Sequence, residues 1–416
     1  MDREAYVWIW LPKEISPVVA GKLEVDDRGS IHFNYGKSYL NRIGENPSAI
    51  PIYEPELPLK QGILPLFEGL NIPGCIRDSA PDAWGRRVII NKILGRKGKD
   101  EDTSQLNEIT YLLESGSDRI GALDFQRSSS EYTSRSSTYV QLDELLESAS
   151  RVEQGVPLKP ELDQALFHGS SIGGARPKAL IENQERKYVA KFPLSSDLYN
   201  VVKAEFIAMR LAAKAGINVA PVELIQVKKK DILLIERFDR VRTVGGWERK
   251  AMVSALTLFG LDEMMARYAS YETLAEIIRH RFDDPKETLK ELFSRLVFNI
   301  LCGNTDDHAR NHAAFWNGKT LCLTPAYDLC PQNRAVNEAT QAMLISGDNR
   351  QSKLHSCLKA CSQFLLSESK AKEIFNRQRE VIETNWTNIC DEAKLSTVDR
   401  NLLWKRQFLN PFVFEE

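Results

Sequence analysis

Four side chains in the carboxy-terminal half of the chain have the types and spacing that phosphoryl transfer needs. The run NTDDHARN (304–311) carries Asp306, His308 and Asn311, and TPAYDL (324–329) carries Asp328. Moving a phosphoryl group to a hydroxyl requires a carboxylate that orients or accepts the hydroxyl proton. It also requires oxygen ligands for Mg²⁺ on the nucleotide phosphates. Asp306 can supply the first, and Asn311 and Asp328 the second, with His308 in a positioning role near the nucleotide. AAFW (313–316), Asn317-Gly318 and LCLTP (321–325) read as strand, tight turn and strand. Asn-Gly favours a two-residue type I′ hairpin. The chain thus doubles back and delivers Asp328 close to Asp306. A transition-metal cluster of Asp306, Asp307 and His308 is a competing reading, but no further His or Cys follows at ligand spacing. A merely polar loop leaves the grouping of Asp, His, Asn and a second Asp around one hairpin unexplained.

A second group lies upstream. SSIGGARPKALI (170–181) places two glycines, an arginine and a lysine before a strand. Glycines allow a backbone to approach phosphate closely, yet the segment fits neither the Walker pattern nor GxGxxG. KALIEN and KYVAKFP flank the polar turn Asn183-Gln184-Glu185-Arg186, which predicts a hairpin with Val189 and Lys191 on one face. A lysine on the strand after a Gly-rich loop is where a kinase holds the α- and β-phosphates. Residues 200–215 predict a helix ending at Gly216, with Val201, Val202, Ala208, Met209 and Ala212 on one side and Lys203, Arg210 and Lys214 on the other. Glu205 falls inside the apolar stripe, where a carboxylate is costly unless paired; Lys191 is its natural partner. ILLI (232–235) reads as a buried strand. The following ERFDR (236–240) would present backbone groups to adenine, with Phe238 lining an apolar slot; the bland alternative is a plain charged turn. Lys228, Lys229 and Lys230 read as a solvated hairpin tip.

The elements that must hold these residues are also legible. Apolar positions 292, 293, 296, 297, 300 and 301 predict a helix that stops at Gly303 and releases the 304–311 loop. At the other end, YVWIWL, GKLEV and SIHFNY predict strands, the last two joined by a turn at Asp26-Asp27-Arg28-Gly29. Ser79 is a candidate cap for a helix with Pro81 near its first turn. RSSSEYTSRSST (127–138) lacks apolar periodicity and is the best linker candidate. The resulting scheme is an amino-terminal subdomain over 1–126, a polar linker over 127–140, a mixed lobe over 141–245 and a helical lobe over 246–416. The chain of 416 residues is 43% hydrophobic and 27% charged, with a formal net charge of −2. That balance argues against a protein coated in positive charge for non-specific nucleic-acid binding. No apolar run approaches membrane-spanning length, and the amino terminus lacks a signal-peptide pattern, so a cytoplasmic location is expected. The seven cysteines form no CxxC pair. Reduced thiols are expected, in preference to a metal site at His355, Cys357 and Cys361.

SSIGGARPKALI, YVAKFP, the helix bearing Glu205, ERFDR, NTDDHARN and TPAYDL together resemble the HipA family of bacterial toxin–antitoxin kinases. GKLEV, FNYGKSYL and APDAWGRR resemble that family's amino-terminal domain. The resemblance implies an α+β, bilobal protein-kinase-like fold with an amino-terminal β-rich subdomain and a mainly helical carboxy-terminal lobe. It implies ATP contacts at Gly173, Gly174, Ala175, Arg176, Pro177, Lys178, Lys191, Glu236, Arg237, Phe238, His308, Ala309, Arg310, Asn311, Tyr327 and Asp328. Asp306 would be catalytic, Asn311 and Asp328 would bind Mg²⁺, and Lys191 and Glu205 would pair. Autophosphorylation would fall on Ser171, with the adjacent Ser170 as the alternative, and would inactivate by placing about −1.5 to −2 charges in a phosphate-binding loop. The implied partners are a protein substrate, an aminoacyl-tRNA synthetase in the best-known case, and a small helix-turn-helix antitoxin of HipB type. Operator DNA would be reached mainly through the antitoxin, and no membrane is involved. Arg176-Pro177 before Lys178 departs from the best-known member and touches the details of loop movement. Two other functions fit the same motifs: a nucleotide-binding co-repressor without turnover, and a small-molecule or lipid kinase.

Overall fold

A computed structural model of the chain describes residues 2–97, 106–135, 142–154, 156, 174, 176–334 and 336–416. The first strands form as their alternation predicts. β1 (Glu4–Ile9), β2 (Val18–Val25), β3 (Ile31–Tyr35), β4 (Ile63–Leu64) and β5 (Leu123–Gln126) make an antiparallel sheet in the order β4-β3-β2-β1-β5. Val7, Leu23, Phe33 and Phe125 are buried on it. At the β2–β3 turn, Asp26 Oδ1 accepts the N–H groups of Arg28 and Ser30, both at 2.9 Å, and Gly29 takes φ +85°. Helices α1 (Ala83–Lys97) and α2 (Glu108–Glu114) follow β4.

The stretch from 127 is not a free tether over its described part. Tyr132 packs against Trp8 and Trp10 at 5.4 and 5.5 Å, and its hydroxyl donates to Asp124 Oδ2 at 3.0 Å. Arg135 Nη2 donates to Asp124 Oδ1 at 2.7 Å. A polar composition conceals these anchors, because one aromatic ring and one guanidinium carry them. Residues 136–140 lie outside the described residues.

After α3 (Leu142–Glu153), a four-stranded antiparallel sheet forms from β6 (Lys178–Glu182), β7 (Lys187–Lys191), β8 (Val222–Val227) and β9 (Lys230–Glu236), in the order β6-β7-β9-β8. The expected β6–β7 turn is present, with Asn183 Oδ1 accepting Glu185 and Arg186 N–H groups at 3.0 and 2.7 Å. The period of two sorts β9 between two cores. Leu233 and Ile235 pack with α4 (Val201–Lys214). Ile232 and Leu234 join Ala190, Trp84 and Leu145. Helix α1 of the amino-terminal segment therefore contributes to the core of this second sheet. The start of α1 differs from the sequence expectation. Asp82, not Ser79, meets the first turn, its Oδ1 accepting Trp84 N–H at 3.2 Å. Ser79 closes the preceding turn, and its carbonyl accepts from Arg119 Nη1 at 3.1 Å.

The remainder is mainly helical: α5 (Tyr271–Arg281), α6 (Pro285–Cys302), α7 (Leu354–Ala360), α8 (Glu368–Glu392) and α9 (Thr397–Leu403). Leading into it are β10 (Arg240–Thr243), β11 (Gly246–Arg249) and β12 (Met252–Ser254). β12 pairs with β13 (Ala313–Trp316), which pairs with β14 (Leu321–Leu323). Asp284 caps α6 with Pro285 at its start. Leu289, Leu292, Leu296 and Ile300 are fully buried, each worth about 1.5–3 kcal/mol on the hydrophobic scale. Gly303 ends α6 at φ +76°, where a Cβ would lie 2.6 Å from Gln407 O, so both backbone and space demand glycine. The β13–β14 connection is a four-residue loop, not the two-residue turn that Asn-Gly suggests. Trp316 pairs with Leu321, and Asn317 Oδ1 accepts the N–H groups of Lys319 and Thr320 at 2.9 Å each. The architecture is α+β: a β-rich amino-terminal subdomain, a lobe built on the second sheet and a mainly helical lobe.

Candidate active site

The buried carboxylate read from the helix pattern finds the expected partner. Glu205 sits on α4, 2% exposed, and its Oε1 accepts from Lys191 Nζ at 2.6 Å. Lys191 Nζ also donates to Asp328 Oδ1, so one ammonium joins two carboxylates. Burial alone would push the Lys191 ammonium down, but Asp328 and Glu205 outweigh it and hold the group well above its ordinary value. Burial raises the Glu205 carboxyl, with Lys191 opposing. Burial also works against ionised Asp328, yet Lys191 brings that carboxyl down to about 2.

Two cross-links set the loop after α6 against the segment around Asp328. Gly303 O accepts Gln332 N–H at 2.9 Å, and Asn304 Nδ2 donates to Asn299 Oδ1 at 3.0 Å and to Asp328 O at 3.4 Å. On the Asp328 side, Ala220 N–H donates to Ala326 O at 2.9 Å, and Ala326 N–H donates to Asn218 O at 2.7 Å. Asp328 itself takes φ +60°, uncommon for a non-glycine residue. Asp306 is exposed at the loop surface. Burial raises its carboxyl, His308 opposes the rise, and the negative charge of Asp328 adds to it. The two aspartates therefore act on each other electrostatically. Asn311 Nδ2 donates to Asp306 O at 3.2 Å, which commits its amide nitrogen and leaves its oxygen as the cation-ligating end.

Asp307 turns the other way. It is buried, its Oδ2 accepts from the Tyr271 hydroxyl, and it lies 3.0 Å from His312 Nε2. That separation removes the transition-metal reading of Asp306, Asp307 and His308. Among the described residues, no group of three or more His, Cys, Asp or Glu side chains is placed to hold a metal.

Lys178 is the register partner of Lys191 across β6–β7 and is 2% exposed. Burial lowers its ammonium to about 8. Gly174, at φ +109°, lies so close to Lys178 Nζ that a Cβ there would clash. Pro177 is buried, and Arg176 Nη2 pairs with Asp197 Oδ2 at 2.5 Å. Ser170, Ser171, Gly173 and Ala175 lie outside the described residues.

The segment leaving β9 has a gap in its ladder. Glu236 N–H donates to Pro221 O at 2.9 Å, but Pro221 has no N–H to return the bond to Glu236 O. Phe238 packs on Tyr327 at 5.7 Å and on Phe315 at 5.9 Å, and the Tyr327 hydroxyl donates to Arg310 O at 2.7 Å. The Arg237 side chain takes no part in the cleft, so the adenine contact expected at 236–238 would fall to its backbone. The side chain joins a buried network with the amino-terminal subdomain. Its guanidinium pairs with Asp239 Oδ2 at 2.8 Å and Asp118 Oδ1 at 3.1 Å, and donates to Arg119 O at 2.6 Å. Arg240 joins the same two aspartates at 2.9 and 2.8 Å. A charged side chain in a segment that also faces a cleft gives no sequence signal of which way it turns. Glu236 pairs outward with Arg186 at 3.1 Å and Arg310 with Glu263 at 2.5 Å.

Comparison with known proteins decides the family. The HipA-like C-terminal domain matches residues 170–386, and the HipA N-terminal domain matches residues 13–126. The chain belongs to the HipA family. Y4mE of Sinorhizobium fredii, a candidate kinase, is 24% identical over 331 residues, covering 75% of this chain and 74% of that protein. The serine/threonine-protein kinase toxin HipA of Shewanella oneidensis is 27% identical over 184 residues, 38% of this chain and 42% of that protein. A solved structure of Shewanella oneidensis HipA with HipB and its operator DNA has a TM-score of 0.68 at 20% identity, covering 96% of this chain and 98% of that one. The fold is thus the bilobal, kinase-like fold of HipA.

Several residues that shape this HipA-family site escaped sequence reading. Asn304 and Asn299 fix the loop, and Asp307, His312 and Tyr271 anchor it from below. Asp82 approaches from the amino-terminal subdomain. The adjacent Asp306-Asp307 pair was the available signal, since a short loop turns neighbouring side chains to opposite sides. Asp82 and Asn299 offered none beyond their polarity. The donor set also fits a divalent cation. The Asp328 carboxylate and the Asn311 amide oxygen are hard oxygen ligands of the kind that Mg²⁺ prefers.

Proposed function

We propose that this HipA-family chain is an ATP-dependent protein serine/threonine kinase and the toxin of a toxin–antitoxin pair. One observation carries the reading: Lys191 joins Glu205 to Asp328, and Asn304 of the loop that bears Asp306 bonds to the Asp328 carbonyl. Adenine enters beside Phe238 and Tyr327, its amino group donating to the Glu236 carbonyl that Pro221 cannot serve. Lys191 and Lys178 hold the phosphates, with Gly174 allowing close approach. Asn311 and Asp328 would hold Mg²⁺, whose charge would offset that of the phosphates. Asp306 orients the substrate hydroxyl and takes its proton as the hydroxyl oxygen bonds to the γ-phosphorus. The bond to the β-phosphate oxygen breaks, and ADP leaves.

The substrate is a protein hydroxyl, an aminoacyl-tRNA synthetase being the family's best-known example. Phosphorylation of Ser171 in the Gly-rich loop would repel nucleotide and switch the enzyme off. The Shewanella protein crystallised with HipB and operator DNA. By that likeness, the partner here is a small HipB-type antitoxin that brings the complex to DNA. No helix of the described residues is long and apolar enough to cross a membrane, and the reading places the protein in the cytoplasm. The test is incubation of purified protein with Mg²⁺ and γ-labelled ATP, alone and with lysate, beside Asp306→Asn. Label on protein that disappears in the variant supports the reading. Label on a metabolite transfers it to a small-molecule kinase, and growth arrest that survives Asp306→Asn transfers it to a co-repressor without turnover.

A further inference from the structure

Two lysines of the cleft face each other across β6–β7. Lys191 has both Glu205 and Asp328 within bonding distance. Lys178 is its direct partner on the neighbouring strand, so two like charges stand opposite each other, an arrangement that destabilises a sheet unless anions intervene. A carboxylate whose charge acts on Lys178 comes from the amino-terminal subdomain. Asp82 precedes α1, and its Oδ1 accepts Trp84 N–H at 3.2 Å. Its Oδ2 is buried and has no hydrogen-bond partner among the described residues. That oxygen points to the Gly174–Lys178 corner: a Cβ on Gly174 would lie 3.7 Å from Asp82 Oδ2 and in collision with Lys178 Nζ. Trp84, two residues on, donates its indole N–H to Lys178 O at 3.0 Å, so α1 grips the same residue by its backbone. Burial pushes the Asp82 carboxyl up to about 6 despite opposing fields from Lys178 and from Arg310 of the catalytic loop. The amino-terminal subdomain and the lobe of the second sheet thus meet at this carboxylate.

We propose that Asp82 is a positioning residue that holds Lys178 as the second phosphate-binding cation of the nucleotide site, so that the amino-terminal subdomain forms one wall of that site. The inference rests on the kinase reading above and adds a residue from outside the kinase-like lobes. Asp82 acts through Lys178, not on the nucleotide. Its loss should therefore weaken interactions with phosphates and leave those with the nucleoside alone.

The experiment is calorimetric binding of Mg·ATP and of adenosine to the full-length chain, with thermal midpoints measured in parallel. Asp82→Asn keeps an oxygen for the α1 cap, since Asn and Asp cap helices about equally well. It is expected to weaken Mg·ATP fivefold or more, to leave adenosine affinity within twofold and to leave the midpoint nearly unmoved. Lys178→Met should produce the same split, and adding Asp82→Asn to it should cause no further loss, because coupled residues are not additive. Mg·ATP affinity within twofold of wild type in Asp82→Asn overturns the proposal. So does an equal loss for ATP and adenosine, which marks a merely structural role. A wild-type chain that binds neither ligand overturns the kinase reading itself, and the wild-type titration distinguishes the two failures.

Discussion

Replacing Glu205 separates activity from stability. Glu205 is 2% exposed and contacts Lys191 at 2.6 Å, but Lys191 keeps Asp328 when Glu205 is removed. No ion is left orphaned, and the desolvation of Glu205 disappears with its charge. The net stability change of Glu205→Gln is therefore expected within about 1 kcal/mol, against about 3–5 kcal/mol for stranding a buried ion. Activity follows a different account. A hydrogen bond between two ions is worth about 1.5–3 kcal/mol, and the bond from the Lys191 ammonium to a neutral Gln oxygen about half of that. The lost positioning of Lys191 is then about 1–1.5 kcal/mol for Gln and up to about 3 kcal/mol for Glu205→Ala. At about 1.4 kcal/mol per tenfold, these become about tenfold and about a hundredfold in kcat/KM. Lys191→Met must behave differently, because one ammonium serves two carboxylates: stability should fall by about 3–5 kcal/mol together with activity. The assay is steady-state phosphorylation beside urea denaturation for all three variants. Glu205→Ala with activity within twofold of wild type would refute the argument, as would Lys191→Met with unchanged stability.

Asp306→Asn is expected to lower kcat by about 10²–10⁴-fold, the usual contribution of a positioned acid–base group, with Mg·ATP binding by calorimetry retained. Asp239→Ala removes the shared partner of Arg237 and Arg240 and the acceptor of Gly121 N–H at 2.8 Å; chemical denaturation should show a loss of about 3–5 kcal/mol. The same carboxylate predicts an acid limb. Burial opposes its ionisation, but Arg237 and Arg240 bring it down to about 2, below its unfolded value near 3.8. Its contribution is present above about pH 4 and lost as pH falls toward 2, so Asp239→Asn should flatten the thermal midpoint over that window. Gly303→Ala should cost at least about 1–2 kcal/mol for its left-handed backbone, read from the same denaturation curves, and should lower activity by shifting the Asp306 loop.

The sequence carried most of what local chemistry dictates. Lys191–Glu205 was legible because a carboxylate inside an apolar helix stripe has few ways to be tolerated, and the hairpin on which Lys191 sits was written in its polar turn. The approach of the 304–311 loop to the Asp328 segment was legible because a helix stop, a polar loop and a returning hairpin fix them relative to one another. What stayed hidden depends on contacts remote in sequence. Arg237 turns toward Asp118, Trp84 reaches Lys178, and Tyr132 settles between two tryptophans. The Asn317-Gly318 turn was misread in length because the Asn317 side chain, bonding two backbone N–H groups, closes a longer loop than the dipeptide suggests.

The position of α4 is fixed from outside the cleft as well as within it. Lys203 Nζ donates to Lys394 O at 2.8 Å, and Arg210 pairs with Glu392 at 3.1 Å, both just where α8 ends. Arg377 of the same helix sits against Gly216, where the turn after α4 takes φ +84°. On the opposite side of the sheet, α1 and α3 fill the second core, and Arg237 and Arg240 bind the segment after β9 to Asp118. The Lys191–Glu205 pair is thereby assembled by packing from both terminal regions, with no charge required from a modified side chain. Such a chain holds Lys191 in place at rest. On the proposed kinase reading, control of activity would then fall on what enters or leaves the Gly-rich corner between Gly174, Lys178 and Asp82.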